Sequence, residues 1–154
     1  MNIRTPSLSF LCLSVLLITA ALPTVAAAES ITVQATLIKA SNESGPTDDA
    51  LRRYEANLRR LFRFNRYQRI GSDRVSIRKG ATGSLQPGAG YTIELGVLSA
   101  DPRGTRIRVR WVTGSGQNRK TLMETAVRTR PNRPTVLGGP RYEGGNLIVI
   151  LETR

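Results

Sequence analysis

Arg106, Arg108 and Arg110 alternate with Ile107, Val109 and Trp111. On a β-strand such a row shares one face, with its side chains about 6.6–6.8 Å apart, close to the step of an extended single-stranded phosphate backbone. The spacing makes these three arginines candidates for contact with a polyanion. Single-strand binders set stacking aromatics beside such a basic groove, whereas Trp111 points to the opposite face. Two readings stay open: a phosphate-contacting comb, or the solvated side of a half-exposed strand. A second basic set lies in 48–64. There Leu51, Tyr54, Leu58, Leu61 and Phe62 recur at helical spacing within an arc of about 100°. Arg52, Arg53, Arg59, Arg60, Arg63 and Arg66 fill most of the other side. Arg52, Arg59 and Arg63 join the candidates, on a face that is either solvated or turned to nucleic acid or lipid head groups.

Little else in the chain could react. It has no histidine and one cysteine in 154 residues, which excludes an imidazole base, Ser-His and Cys-His pairs, and His-ligated metal. There is no G-x-S-x-G elbow and no P-loop. Gly114-Ser115-Gly116 begins a dinucleotide-type glycine pattern that fails at Arg119, so it reads as a hairpin turn. Ser-Lys pairs with Lys39, Lys79 or Lys120 have no spacing motif behind them. The 11 Asp and Glu residues are scattered, mostly in turns and at strand edges, and give a carboxylate-pair glycosidase little to build on. Asp48-Asp49 is too short for a calcium loop and suits the first turn of a helix, with Thr47 as its N-cap. No catalytic, metal or cofactor site is expected, a nucleotide cofactor included; a small hydrolase without histidine or cysteine is the remaining enzymatic alternative.

The N-terminus reads as an address. Arg4 precedes an apolar run from Leu8 to Leu22, Pro23 breaks it, and Ala26-Ala27-Ala28 supplies small residues for a cut after Ala28. A basic start, a short apolar core and an A-x-A site together mark a cleaved secretory signal over 1–28. The run is shorter than the roughly 20 residues that span a bilayer, and no later stretch approaches that length, so no transmembrane span is expected after cleavage. Cys12 lies inside the apolar core and not at the cut, which argues against a lipoprotein. Removing 28 of 154 residues leaves 126 without cysteine, a single domain over 29–154 held by its apolar core alone. Only Arg4 is charged in the removed part, so the remainder keeps 22 basic and 11 acidic side chains, a net charge of +11. Arginines outnumber lysines by 20 to 3. That excess fits attraction to an anionic polymer or membrane surface, and it equally fits solvated positions filled by arginine.

The elements that must position these residues are mostly strands. Segment 31–40 alternates Ile31, Val33, Ala35 and Leu37 with Thr32, Gln34 and Thr36 and predicts a half-buried strand. After the helix, 66–70 and 74–79 predict two short strands around a turn at Gly71-Ser72-Asp73. A glycine-rich connection follows, with an edge strand at 82–85. Tyr91, Ile93, Leu95 and Val97 mark the next strand, and Asp101-Pro102-Arg103-Gly104 the β-turn into the arginine strand. A strand near 121–130 and a closing hairpin across Glu143-Gly144-Gly145 complete the chain. Leu147-Ile148-Val149-Ile150-Leu151 is apolar on both faces, as a central strand requires. The pattern predicts an α+β domain: an antiparallel sheet or small β-sandwich of about 7–8 strands, with one amphipathic helix after the first strand.

Two segments carry a resemblance. The opening strand Ile31-Thr32-Val33-Gln34-Ala35-Thr36-Leu37-Ile38-Lys39-Ala40 and the closing Val136-Leu137-Gly138-Gly139-Pro140-Arg141-Tyr142-Glu143-Gly144-Gly145-Asn146-Leu147-Ile148 resemble small exported bacterial proteins of unassigned function. More distantly they are similar to the strand-rich periplasmic parts of secretins, the outer-membrane secretion rings. The chain lacks the length and amphipathic hairpins of a membrane barrel, and no secretin residue carries over. The resemblance implies an envelope setting and an assembly role. The expectation is therefore a periplasmic or secreted, non-catalytic module that binds another envelope protein. The alternative is a basic protein that binds nucleic acid, acidic polysaccharide or anionic lipid.

Overall fold

The computed structural model describes residues 30–154; the signal segment expected over 1–28, with Cys12 and its cut after Ala28, lies outside the described residues. An apolar run with no polar side needs cover on both faces, and the last strand has it. In β8 (Gly145–Thr153) Leu147, Ile148, Val149, Ile150 and Leu151 are all fully buried. Its neighbours are β1 (Ser30–Ser41) and β7 (Thr135–Tyr142), and β2 (Arg66–Arg78) completes a four-stranded antiparallel sheet in the order β2-β1-β8-β7. A second antiparallel sheet runs β3-β4-β5-β6, from β3 (Thr82–Gly88), β4 (Tyr91–Asp101), β5 (Gly104–Thr113) and β6 (Lys120–Thr129).

The two sheets pack face to face. Val33, Ala35, Leu37, Leu147, Val149 and Leu151 of the first meet Leu85, Ile93, Leu95, Val97, Ile107, Val109 and Trp111 of the second. The alternate residues of the central strands, Ile38, Ala40, Ile148 and Ile150, look the other way and are covered by the helix through Leu51, Tyr54 and Leu58. The described residues thus form a sandwich of eight strands with a helix as a third layer.

The helical segment starts with a 3-10 turn (Asp49–Leu51) and continues as α1 (Arg52–Leu61). The side chain of Asp48, not Thr47, caps it by accepting from the Ala50 amide at 3.0 Å. Thr47 instead donates its hydroxyl to Glu55 Oε1 at 2.8 Å. The helix stops before 64 because Phe62 turns extended, at φ −132° and ψ 129°. Phe62 and Phe64 then pack from the loop onto the helix-side core, while Leu61 stays 47% exposed.

Segment 66–79 also departs from expectation. Gly71-Ser72-Asp73 is no turn but part of one continuous strand opposite β1, with Ile70 as the extra residue of a β-bulge between the pairs Ile38–Arg69 and Leu37–Gly71. The requirement at Gly71 is close approach: a Cβ there would lie 2.3 Å from the Pro87 carbonyl oxygen.

Two titrating groups, Tyr54 and Tyr67, sit in the helix-side core. Tyr54 is 5% exposed, and burial foremost, with the Glu152 carboxylate adding, pushes its phenol up from 10 to about 12, against the opposing Arg53 guanidinium. Arg53 lies 4.5 Å over the ring and reaches Glu152 at 3.2 Å. The native state keeps this proton where the unfolded chain has lost it. The Tyr54 contribution to stability is therefore constant below pH 10 and falls between pH 10 and 12, by up to about 1.4 kcal/mol per pH unit. Tyr67, raised by burial too, acts in the same direction. Urea unfolding from pH 9 to 12 is expected to show this decline, and Tyr54→Phe to flatten it; an unchanged slope in Tyr54→Phe assigns the decline elsewhere.

Candidate functional site

The arginine row lies where the alternation puts it, on the outer face of the second sheet, with Ile107, Val109 and Trp111 buried behind it. Register decides what each arginine meets. Arg110 stands between Glu94 of β4 and Glu124 of β6, Arg108 between Gly96 and Ala126, and Arg106 between Ser99 and Arg128. Arg110 donates Nε to Glu124 Oε2 at 2.9 Å and Nη1 to Glu94 Oε2 at 3.4 Å. Nε of Arg108 lies 3.3 Å from Glu124 Oε1, and Arg119 pairs with Glu94 Oε1. The series Arg119, Glu94, Arg110, Glu124, Arg108 is an alternating ionic chain across three strands and the loop before β6. Exposed pairs of this kind each contribute about 0.2–1 kcal/mol; their larger effect is to offset the charge at this end of the row.

The other end is different. Arg106 faces Arg128 directly across β5 and β6, a like-charge pairing that strands disfavour. Arg128 has Asp101 3.6 Å away, and Arg106 has no ion pair among the described residues. The charge left over at this end is therefore Arg106 and the open side of Arg108, beside an Arg128 that is partly offset by Asp101, and not a comb of three equal cations.

The helix candidates look out from the opposite side of the molecule, since α1 covers the first sheet. Arg52 is held by Asp49 at 2.7 Å and Arg59 by Glu55 at 2.9 Å, while Arg63 is exposed and has no ion pair among the described residues. The fold does not bring Arg52, Arg59 and Arg63 to one surface with Arg106, Arg108 and Arg110. The sequence reading passed over Glu94, Arg119, Glu124 and Arg128. A signal was present for one of them, because Thr92, Glu94 and Gly96 form the polar side of β4, next to the arginine strand.

Beside the ionic chain lies an open depression of about 430 Å³, lined by Thr82, Ser84, Gln86, Thr92, Glu94 and Arg119. No aromatic side chain among the described residues lines it. Among the described residues, no three His, Cys, Asp or Glu side chains gather to hold a metal ion, and no helix is long and apolar enough to cross a membrane.

The four edge strands differ. β2 lies against β3, with the Gln86 amide donating to Asp73 Oδ2 at 2.8 Å. β3 contains Pro87 and an irregular register. β7 is broken by the irregularity at Gly139 and Pro140, between the paired residues Gly138 and Arg141. β6 pairs with β5 alone, has one bulge at Leu122, and then runs regularly over 123–129. That stretch contains no proline, no glycine and no inward-pointing charge. These are among the devices that keep sheet edges from pairing with other chains; the edge charges β6 does carry, Glu124 and Arg128, lie on its outer face. Comparison with family models, curated proteins and solved structures finds no match for the chain.

Proposed function

We propose that this protein is an exported, non-catalytic assembly module of the bacterial envelope, which engages another protein by receiving its strand along β6. The observation that carries this reading is the regular, unpaired edge of β6 over 123–129. An extended segment laid there gains main-chain hydrogen bonds along the whole regular stretch, and its alternate side chains reach the two faces of the sheet. The secretory pattern over 1–28 supports the envelope setting, and the absence of imidazole supports a binding role over a catalytic one. The polyanion alternative is left with Arg106, Arg108 and Arg128 as its one contiguous patch on this face, because the helix arginines look away.

A photo-crosslinking residue at Ala126, on the exposed side of β6, is expected to trap a discrete adduct in cells, in the periplasmic or secreted fraction. The same residue at exposed Ser76 of β2 is expected to trap none. Protein recovered from the cytosol with Met1 retained overturns the reading, as does a chain that forms no adduct at Ala126.

A further inference from the structure

Resting on the β6 reading, we infer the chemistry of the strand that pairs there: it is apolar on its inward side and carries carboxylates opposite Arg128 and Ala126. Residues of β6 alternate strictly over the regular stretch. Met123 and Val127 point inward and lie half-buried at the rim of the main core, as does Leu137 of β7. Glu124, Ala126 and Arg128 point outward and are exposed. An added strand continues each cross-strand row by one residue, about 4.8 Å further on, and its outward residues meet the charges already in that row.

The three rows ask for different partners. One runs Arg106, Arg128 and then the incoming residue; a carboxylate there gives Arg128 a second acidic neighbour and relieves the like-charge pair. The next runs Arg108, Ala126 and the incoming residue. Ala126 is small enough for the Arg108 guanidinium, committed only through Nε to Glu124, to lean across it towards a second carboxylate. The third runs Arg110, Glu124 and the incoming residue, where an acid would be repelled and a hydroxyl is suited. The net charge of +11 favours an acidic partner at long range and opposes a second copy of this chain.

The fold offers a direct test, because Thr153 bridges Pro131 and so brings Arg154 beside the Thr129 end of β6, where an antiparallel strand must begin. The full chain is extended beyond Arg154 by a flexible Gly/Ser linker and a short strand, with valine inward, glutamate opposite Arg128 and Ala126, and threonine opposite Glu124. Tethering supplies a millimolar effective concentration, so weak pairing is still visible. One companion carries lysine for glutamate, and another keeps the glutamates but has proline at the inward positions. Amide hydrogen exchange across 123–129 is the readout.

The glutamate strand is expected to slow the β6 amides that face the open edge about a hundredfold or more, the lysine strand far less, and the proline strand not at all. Arg106→Glu with Arg128→Glu should reverse the preference to the lysine strand. Protection by neither strand overturns the edge reading itself. Equal protection by both leaves the edge reading standing and overturns the acidic partner. Self-pairing has its own signature: with Glu124 opposite Arg128 of a second copy, Ala126 sits on the two-fold axis. In a Cys12→Ser chain without extension, an Ala126→Cys variant that oxidises readily to a disulfide-linked dimer therefore overturns the acidic partner in favour of a second copy.

Discussion

Gly139→Ala is expected to lower the unfolding free energy by about 2–3 kcal/mol, and to lose most of that cost when Trp111 is replaced by leucine. A Cβ at Gly139 would stand 2.7 Å from Cζ2 and 2.8 Å from Cη2 of Trp111, and 3.2 Å from the Leu147 carbonyl oxygen. The indole cannot swing away. It is fully buried between the sheets, with the Tyr91 ring edge-on at 6.1 Å. The backbone of Gly139 is not left-handed, so the penalty is steric and the cheaper chain entropy of alanine only partly offsets it. Gly138 is the control. Its Cβ would meet Phe62 Cε1 at 3.2 Å, a half-buried ring on the helix side that can shift, so Gly138→Ala is expected to cost under about 1 kcal/mol. Urea unfolding of Gly139→Ala, Trp111→Leu and the double variant closes the cycle. Trp111→Leu is itself expensive, within the range of a few kcal/mol that large core truncations show. A coupling of at least about 1 kcal/mol is expected between the two sites, and strictly additive losses refute the contact.

The sequence made the layers legible where a strand had to satisfy two environments at once. The unbroken apolar run 147–151 specified a strand covered on both sides, and the apolar arc of 51–62 supplied the cover; together they place a helix on the back of a central strand. What escaped was everything set by a bulge. Gly71-Ser72-Asp73 has turn composition, yet Gly71 serves a close approach to Pro87 and Asp73 ties β2 to the Gln86 amide, contacts between residues that only the folded chain brings together. The arginine row shows the same difficulty in the register. Counted out from the turn, Asp101 pairs with Gly104 and Ser99 with Arg106; continued without interruption, that count would set Glu94 opposite buried Trp111. The bulge at Leu98 shifts the pairing by one, so that Val97 meets Ile107 in the core and Glu94 meets Arg110 outside. The alternation of β5 alone shows that three arginines share a face, and it cannot show that carboxylates from both neighbouring strands claim two of them.

Leu58→Ala is expected to cost about 2–4 kcal/mol, while Leu61→Ala, one turn further along the same helix, stays within about 0.5 kcal/mol. Periodicity alone gives both leucines to the apolar arc. The fold separates them: Leu58 is fully buried against the first sheet, and Leu61 is 47% exposed because the chain leaves the helix at Phe62. The consequence of Leu58→Ala reaches beyond one cavity. A helix of ten residues is shorter than the roughly 12–15 that hold together unaided, so α1 persists only through the side chains it buries, Tyr54 and Leu58, together with Leu51 of the turn before it. Weakening that contact raises the population in which the helix has lifted away and Ile38, Ile148 and Ile150 are open to water on the two central strands. An exposed apolar face of that kind self-associates. Leu58→Ala should therefore show both a lower urea midpoint and concentration-dependent light scattering below it, with faster hydrogen exchange in α1 than in β4 and β5. Equal and mild effects at both leucines would mean that the helix is not what keeps this face of the sheet dry.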